Sequence, residues 1–242
     1  MRSPSLHSQP MARFPTPLLA GQISPNARSM RRADPLAVIA DDGVRRLLRS
    51  LHRDASGSWL RRIWRRCTGA STAPNIEQCA LLYQLVRVNE ARLIVDCAPG
   101  LSTVWLACAL RDDLHRLGRR GGDRAILAIE PIAERAKLVR QTLRAAGVSR
   151  YVDIRCLDVC QTRQSFDVPI DLLRIDPGHG ASADLLNRLR PALRAGAVVV
   201  AAGVERHCPS CAYYRRCIRT GAAGFSSITL PLDGGVELSI KG

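Results

Sequence analysis

From residue 74 onward, short apolar runs alternate with helix-patterned segments, and this alternation restricts the chain to a very small set of folds. Leu85 to Val95 leads a helix end into a strand over Arg92–Cys97, and Ser102–Leu110 reads as a helix. Ala125–Glu130 is strand-like, and Ala133–Ala146 is a helix closed by Gly147. Val152, Ile154 and Cys156 alternate with Asp153 and Arg155, the period of a half-buried strand. Ile170–Asp176 is a further strand, Ala181–Leu193 a helix, and Ala197–Ala202 a strand apolar on both faces. Strands that alternate with helices pair in parallel, because only a long crossover returns the chain to a parallel neighbour. Phe225–Pro231 and Val236–Ile240, separated by Asp233-Gly234-Gly235, break the pattern, since so tight a turn makes an antiparallel hairpin. The expected fold is α/β: a doubly wound, mostly parallel sheet of seven strands, with helices on both faces and a C-terminal antiparallel hairpin.

The preceding part of the chain has a different composition. Residues 1–33 contain no acid but five each of proline, serine and arginine. Such a segment cannot bury a core and is expected to be a disordered basic tail. Residues 34–73 are expected to form a basic amphipathic helical cap. Val44, Leu47, Leu48 and Leu51 share one helix face beside Arg45, Arg46, Arg49 and Arg53. Trp59, Leu60, Ile63 and Trp64 then lie opposite Arg61, Arg62, Arg65 and Arg66. These stripes either pack on the following domain or dock on a nucleic acid or membrane surface; packing is favoured.

The formal net charge is +15, and residues 1–70 carry 13 basic residues against 4 acids. Such an excess invites a polyanion partner. However, Lys137 and Lys241 are the only lysines among 36 basic residues, a skew that G/C-rich coding produces without any binding role. No apolar run approaches the roughly 18–20 residues of a membrane span. The first 30 residues lack the continuous apolar core of a secretory signal. The chain is therefore expected to be cytoplasmic, without a membrane span.

Ligands of open α/β sheets bind beyond the carboxyl ends of the strands. Beyond the first strand lies Asp96-Cys97-Ala98-Pro99-Gly100-Leu101-Ser102-Thr103, a turn of small residues leading into a helix whose first N–H groups are free to meet an anion. Glu130 follows the second strand, Asp158 the third and Asp176 the fourth. A carboxylate at the second position can accept hydrogen bonds from both hydroxyls of a ribose. An acid just before the turn suits an amino group and repels a pyrophosphate. The Gly-x-Gly-x-x-Gly pattern of dinucleotide sites is absent.

Residues 74–242 resemble a class I S-adenosylmethionine-dependent methyltransferase of the small O-methyltransferase-like kind. The resembling stretches are LIVDCAPGLSTVWLACA (93–109), AIEPIAERAKLVRQTLRAAGV (128–148), IDLLRIDPGH (170–179) and LRPALRAGAVVVAAGV (189–204), with the hairpin at 225–238. The resemblance implies a Rossmann-like methyltransferase domain over residues 74–242, with S-adenosyl-L-methionine as cofactor. It implies that Asp96 helps hold the methionine amino group. Ala98, Gly100 and Ser102 would line the methionine end, Glu130 would bind the ribose, and Asp158 with Val159 would sit by the adenine.

Two positions depart from the family. Ala98, followed by Pro99, replaces the first glycine of the turn; its methyl group fits if the backbone there avoids the left-handed region. Metal-dependent relatives carry an Asp-Asn pair after the fifth strand, where this chain has Ala201, Ala202 and Gly203. A Mg²⁺ site would lack its oxygen ligands, so no catalytic metal is expected.

Methyl transfer needs an aligned nucleophile and a group to take its proton, and Asp176 and His179 are the candidates. The expected reaction is metal-independent methylation, O-methylation favoured, of a small-molecule acceptor. Two alternatives stand beside it: a nucleic-acid methyltransferase docked through the basic N-terminal helices, and a non-catalytic binding protein that retains the fold. A homodimer is compatible with either enzyme reading. The nine cysteines are expected to be mostly free thiols, with Cys97, Cys108 and Cys156 inside apolar patterns. Cys208-Pro-Ser-Cys211, with His207 and Cys217 nearby, has spacing known from zinc and redox sites. Tyr213, Tyr214 and Ile218 suggest instead a helix whose thiols partly face the core.

Overall fold

The structure is a computed structural model describing residues 76–118, 125–158, 166–179, 182–221, 224–232 and 234–242. The expected tail and helical cap, together with Val159 and Asp233, lie outside these residues.

The described chain forms α1 (Ile76–Val88), β1 (Leu93–Asp96), α2 (Leu101–Arg116), β2 (Ala125–Ile129), α3 (Ala133–Ala145) and β3 (Val152–Arg155). It continues through β4 (Ile170–Ile175), α4 (Ser182–Leu189), β5 (Leu193–Ala202), α5 (Pro209–Arg219), β6 (Phe225–Leu230) and β7 (Val236–Lys241). One seven-stranded sheet results, in the order β3-β2-β1-β4-β5-β7-β6. The pairings from β3 through β5 are parallel, and β7 is antiparallel to both β5 and β6. The sequence pattern and the structure agree on every strand and on the closing hairpin.

Alternation along the strands divides the core into two layers. Ile94, Leu172, Val198 and Val200 face one side, with Cys79, Tyr83, Trp105, Val139 and Leu143 of α1, α2 and α3. Val95, Leu173, Val199 and Ala201 face the other, with Leu186, Leu189, Tyr214 and Ile218 of α4 and α5. Successive strand residues point to opposite faces, so a strand buried on both faces must be apolar throughout. That is why β4 and the Ala197–Ala202 part of β5 read as apolar runs, apart from two charged residues in β4 that are discussed below.

Three sequence boundaries move. The second helix continues past Leu110 to Arg116. Its polar last turns are anchored: Asp113 is fully buried and pairs with Arg116 at 2.6 Å, and Asp112 accepts the Tyr83 hydroxyl at 2.7 Å. The helix expected over 181–193 stops at Leu189, and Arg190–Ala192 form a 3-10 turn. Pro191 has no N–H to continue the ladder and disfavours helical backbone in the residue before it. The fifth strand consequently begins at Leu193, through Gly196 at φ 72°. Cys156, expected in an apolar pattern, is exposed just beyond β3, because that strand lies at the sheet edge.

The first charged residue of β4, Asp171, serves the fold. It lies at the end of the sheet opposite the strand-end acids and accepts the N–H groups of Arg92 (2.8 Å) and Leu93 (2.9 Å). It also pairs with Arg194, which in turn donates to Asn89 at 2.7 Å. Asp171→Ala strands two backbone donors at the start of β1 and is expected to cost about 1–3 kcal/mol in urea unfolding. A loss within the error of the measurement would show that water replaces the carboxylate without penalty.

Candidate active site

The carboxyl ends of β3, β2, β1 and β4 are lateral neighbours, so Asp158, Glu130, Asp96 and Asp176 follow four consecutive strands along one edge of the sheet. Their surroundings differ sharply.

Asp96 is fully buried at the end of β1 and organises the turn that follows. One of its oxygens accepts the Ala98 N–H at 3.1 Å and the Arg174 guanidinium at 2.9 Å. The other accepts the Thr103 hydroxyl at 2.7 Å, and that hydroxyl accepts the Gly100 N–H at 2.7 Å. The turn is thus held by a chain running Gly100–Thr103–Asp96–Ala98. Ala98 fits without backbone strain, since Glu90 alone among the described non-glycine residues has positive φ.

Arg174 was not singled out from the sequence. It is directly paired in register with Asp96 across β1 and β4, so both side chains project from the same face of the sheet. Its guanidinium reaches Asp96 and the Ala98 carbonyl. Burial opposes its charge, but contact with Asp96, with a further contribution from Asp176, more than offsets this and raises its pKa above the ordinary arginine range. A signal was present: a lone arginine inside the apolar run Ile170–Ile175 needs a buried partner.

Beside Arg174 lies a cavity of about 10 Å³, lined by Gln78, Leu82, Ser102, Val200, Ala202 and Val236. That is close to the space of one water. Ser102, in the first turn of α2, is buried, and its hydroxyl has no hydrogen-bond partner in the structure. An orphaned hydroxyl at a helix N-terminus is a polar group suited to a ligand.

Glu130 is 6% exposed, and its Oε1 accepts the Ile132 N–H at 2.9 Å, which fixes the carboxylate at the end of β2. Asp158 is half-buried beyond β3.

Asp176 is half-buried and opens the 3-10 turn Pro177–His179 by accepting the Gly178 N–H at 2.9 Å. His179 ends that turn, which places its backbone near Asp176; its side chain is not among the described ones. Arg206, from the loop after β5, reaches Asp176 at 3.4 Å. Its guanidinium lies over Gly203, where an added Cβ would stand 2.5 Å from its Nε. Gly203 is one of the three residues among which the resemblance places the Asp-Asn pair of metal-dependent relatives. Here that position carries no side chain, and an arginine lies over it. Among the described residues, no three His, Cys, Asp or Glu side chains gather as metal ligands.

At Cys208 and Cys211 the structure decides among the sequence alternatives. The two are joined in a disulfide at the start of α5, with Cys211 buried. Cys79, Cys97, Cys108, Cys156 and Cys217 are in no disulfide. Burial pushes the Cys79 thiol up to about 12, so it is inert at neutral pH.

Residues 97–201 match a family model described as a methyltransferase domain. No curated protein matches the chain. Among solved structures, a methyltransferase from Geobacter sulfurreducens is 20% identical with a TM-score of 0.58, over 84% of this chain and 91% of that one. An O-methyltransferase from Streptomyces achromogenes involved in tomaymycin synthesis, solved with S-adenosylmethionine, is 21% identical with a TM-score of 0.61, over 81% and 90%. An O-methyltransferase from Bacillus cereus, solved with S-adenosylhomocysteine, is 19% identical with a TM-score of 0.60, over 80% and 97%. No described helix is long and apolar enough to cross a membrane. Sheet order, closing hairpin and the match over residues 97–201 agree: the chain has the fold of these methyltransferase structures.

Proposed function

We propose that the domain transfers a methyl group from S-adenosylmethionine to an oxygen of a small-molecule acceptor. The observation that carries this reading is the edge of the sheet. A turn locked by Asp96 and Arg174 opens a helix with an unpartnered buried hydroxyl, and Glu130 is fixed on the neighbouring strand. These residues fit the cofactor. Gly100 and Ser102 would receive its methionine end and Glu130 its ribose. Asp158, with Val159, would lie toward the adenine. Asp96 and Arg174 hold the turn in shape, and Ala98 lines it.

When bound, the cofactor supplies an electrophilic methyl group together with its leaving group. The chain then aligns the acceptor and takes its proton. Asp176 is the proposed proton acceptor, with His179 in the same turn and Arg206 orienting the carboxylate. An arginine at this place supplies positive charge beside the acceptor oxygen without metal ligands.

The test is calorimetry with S-adenosylmethionine and S-adenosylhomocysteine on the full chain. Saturable binding is expected, and absence of heat from folded protein would remove the enzyme reading and leave the non-catalytic alternative. Labelled methyl transfer to a panel of phenolic and carboxylic acceptors then probes Asp176. The Asp176→Asn variant is expected to lose roughly 10²–10⁴-fold in turnover while its affinity for S-adenosylhomocysteine stays within about twofold. Parallel losses in both would make Asp176 a cofactor or folding residue instead.

A further inference from the structure

His207-Cys208-Pro209-Ser210-Cys211 takes no part in the chemistry proposed above. Cys208 is the N-cap of α5, in extended backbone at φ −135° and ψ 143°, and Pro209 follows in the first turn. Proline is well placed there, where its missing N–H would have had no helical partner. Two residues separate the cysteines in sequence, and one helical turn brings their Cα atoms to 5.5 Å, within the span of a disulfide.

The two sulfurs have different surroundings. Cys208 is half-buried, and its Sγ accepts the Cys211 N–H at 3.3 Å, with the Ser210 hydroxyl also 3.3 Å away. Both groups can donate to a thiolate, and the N-terminus of the helix adds its partial positive charge. Cys211 is 1% exposed, and its Sγ lies 3.5 Å from the Gly203 carbonyl, an acceptor for the thiol once the bridge is open. The outer sulfur thus has donors around it and lies within reach of solvent, while the inner one is enclosed against an acceptor carbonyl.

Neither zinc nor simple stapling explains this arrangement. Zinc needs four ligands, and no third ligating side chain gathers here among the described residues. A disulfide stabilises mainly by restricting the unfolded chain, by about 3 kcal/mol for a 15-residue loop and less for shorter ones. By the same relation a bridge between residues three apart contributes about 1.5–2 kcal/mol, which gives no reason for the unlike surroundings of the two sulfurs.

We propose that Cys208 and Cys211 are a redox-active couple that exchanges with low-molecular-weight disulfides of the glutathione type, with Cys208 as nucleophile and Cys211 as resolving thiol. The Cys208 thiolate attacks one sulfur of the disulfide RSSR, forming a Cys208–S–S–R bond and releasing RS⁻. Cys211 gives its proton to solvent and attacks the Cys208 sulfur. The Cys208–Cys211 bond forms, the bond to SR breaks, and a second RS⁻ leaves. One dithiol and one RSSR become one protein disulfide and two RSH, a two-electron exchange that runs backward when RSH is in excess. Cys208 ends the loop that brings Arg206 to Asp176, its N–H donating to the Arg206 carbonyl at 2.8 Å, and Cys211 lies in the first turn of the helix that follows.

The test uses the full chain, reduced and freed of reductant, with alkylation of each cysteine followed by mass spectrometry. At pH 6, Cys208 is expected to react about fivefold faster than the exposed Cys156, the net of a larger thiolate fraction and a weaker nucleophile. With oxidised glutathione, the wild type is expected to lose both Cys208 and Cys211 from alkylation together and to retain no glutathione. The Cys211→Ser variant is expected to hold one glutathione on Cys208, and Cys208→Ser none on the buried Cys211. Three results would overturn the proposal: equal reactivity of Cys208 and Cys156, a wild-type protein that keeps its glutathione adduct, or stoichiometric zinc that protects both thiols. The wild-type measurements decide the matter even where a variant fails to fold.

Discussion

Replacing Arg174 by methionine is expected to destabilise the domain by about 3–5 kcal/mol, because Asp96 would stay buried with its cation removed. Asp96 has no solvent exposure and the Arg174 side chain only 10%, so water cannot replace the lost partner. In a domain of this size the loss corresponds to a Tm roughly 6–20 °C lower. The double variant Asp96→Asn, Arg174→Met removes both charges and is expected to recover a large part of the loss, since a buried pair costs its own desolvation. Urea unfolding of the wild type, both single variants and the double variant closes the cycle. Single-variant losses that simply add would show that the two charges do not depend on each other. Thr103 and Ala98 would still hold Asp96 in that case, and the turn would owe its shape to hydrogen bonds alone.

Glu130→Ala is expected to weaken S-adenosylhomocysteine binding by about 2–4 kcal/mol, roughly 30- to 1,000-fold, with little effect on the unfolding of the ligand-free protein. The size follows from two hydroxyl hydrogen bonds to a buried carboxylate. Glu130→Gln keeps its one acceptor oxygen for the Ile132 N–H and offers the hydroxyls an amide donor in place of a carboxylate oxygen, so its expected loss is nearer tenfold. Calorimetry measures both, and thermal unfolding without ligand separates a binding defect from a folding one. Affinity within twofold of the wild type in Glu130→Ala would show that the carboxylate only shapes its own turn. The ribose would then have to be held elsewhere along the edge.

The two predictions draw on different parts of what was legible beforehand. Glu130 could be read from the sequence because its position is local: a strand of period two ends, and a carboxylate follows it. Asp176 was legible for the same reason. The pairing of Asp96 with Arg174 was not. It depends on β1 and β4 lying side by side in a register that sets those two residues opposite each other, although 78 residues separate them in the chain. The resemblance assigned Asp96 to the cofactor, and the structure adds that its oxygens already hold Arg174, Thr103 and Ala98. Asp171 shows the converse. It shares a strand with Arg174, yet it caps the opposite end of the sheet and stabilises the entry to β1.

The cysteines divide in the same way. Cys108 is a buried thiol, as its place in an apolar pattern implied, and Cys79, which the sequence did not single out, is buried as well. Cys208-Pro-Ser-Cys211 could have been a metal ligand pair, a redox pair or two core thiols. The N-terminal turn of α5 turns Cys211 inward, leaves Cys208 at the cap and, among the described residues, brings no third ligand, which is the arrangement that supports the proposed redox pair.

By itself, then, the sequence determined the order of the elements, the parallel sheet with its antiparallel closing hairpin, and the row of acids at the strand ends. Periodicity, turn residues and crossover length are properties of short stretches of chain. Only the tertiary structure decided which acid is neutralised by an arginine, which supports the fold, and how Arg206 comes to lie over Gly203 against Asp176. Those relations arise from lateral strand order, register and loop return. No local window of residues contains them.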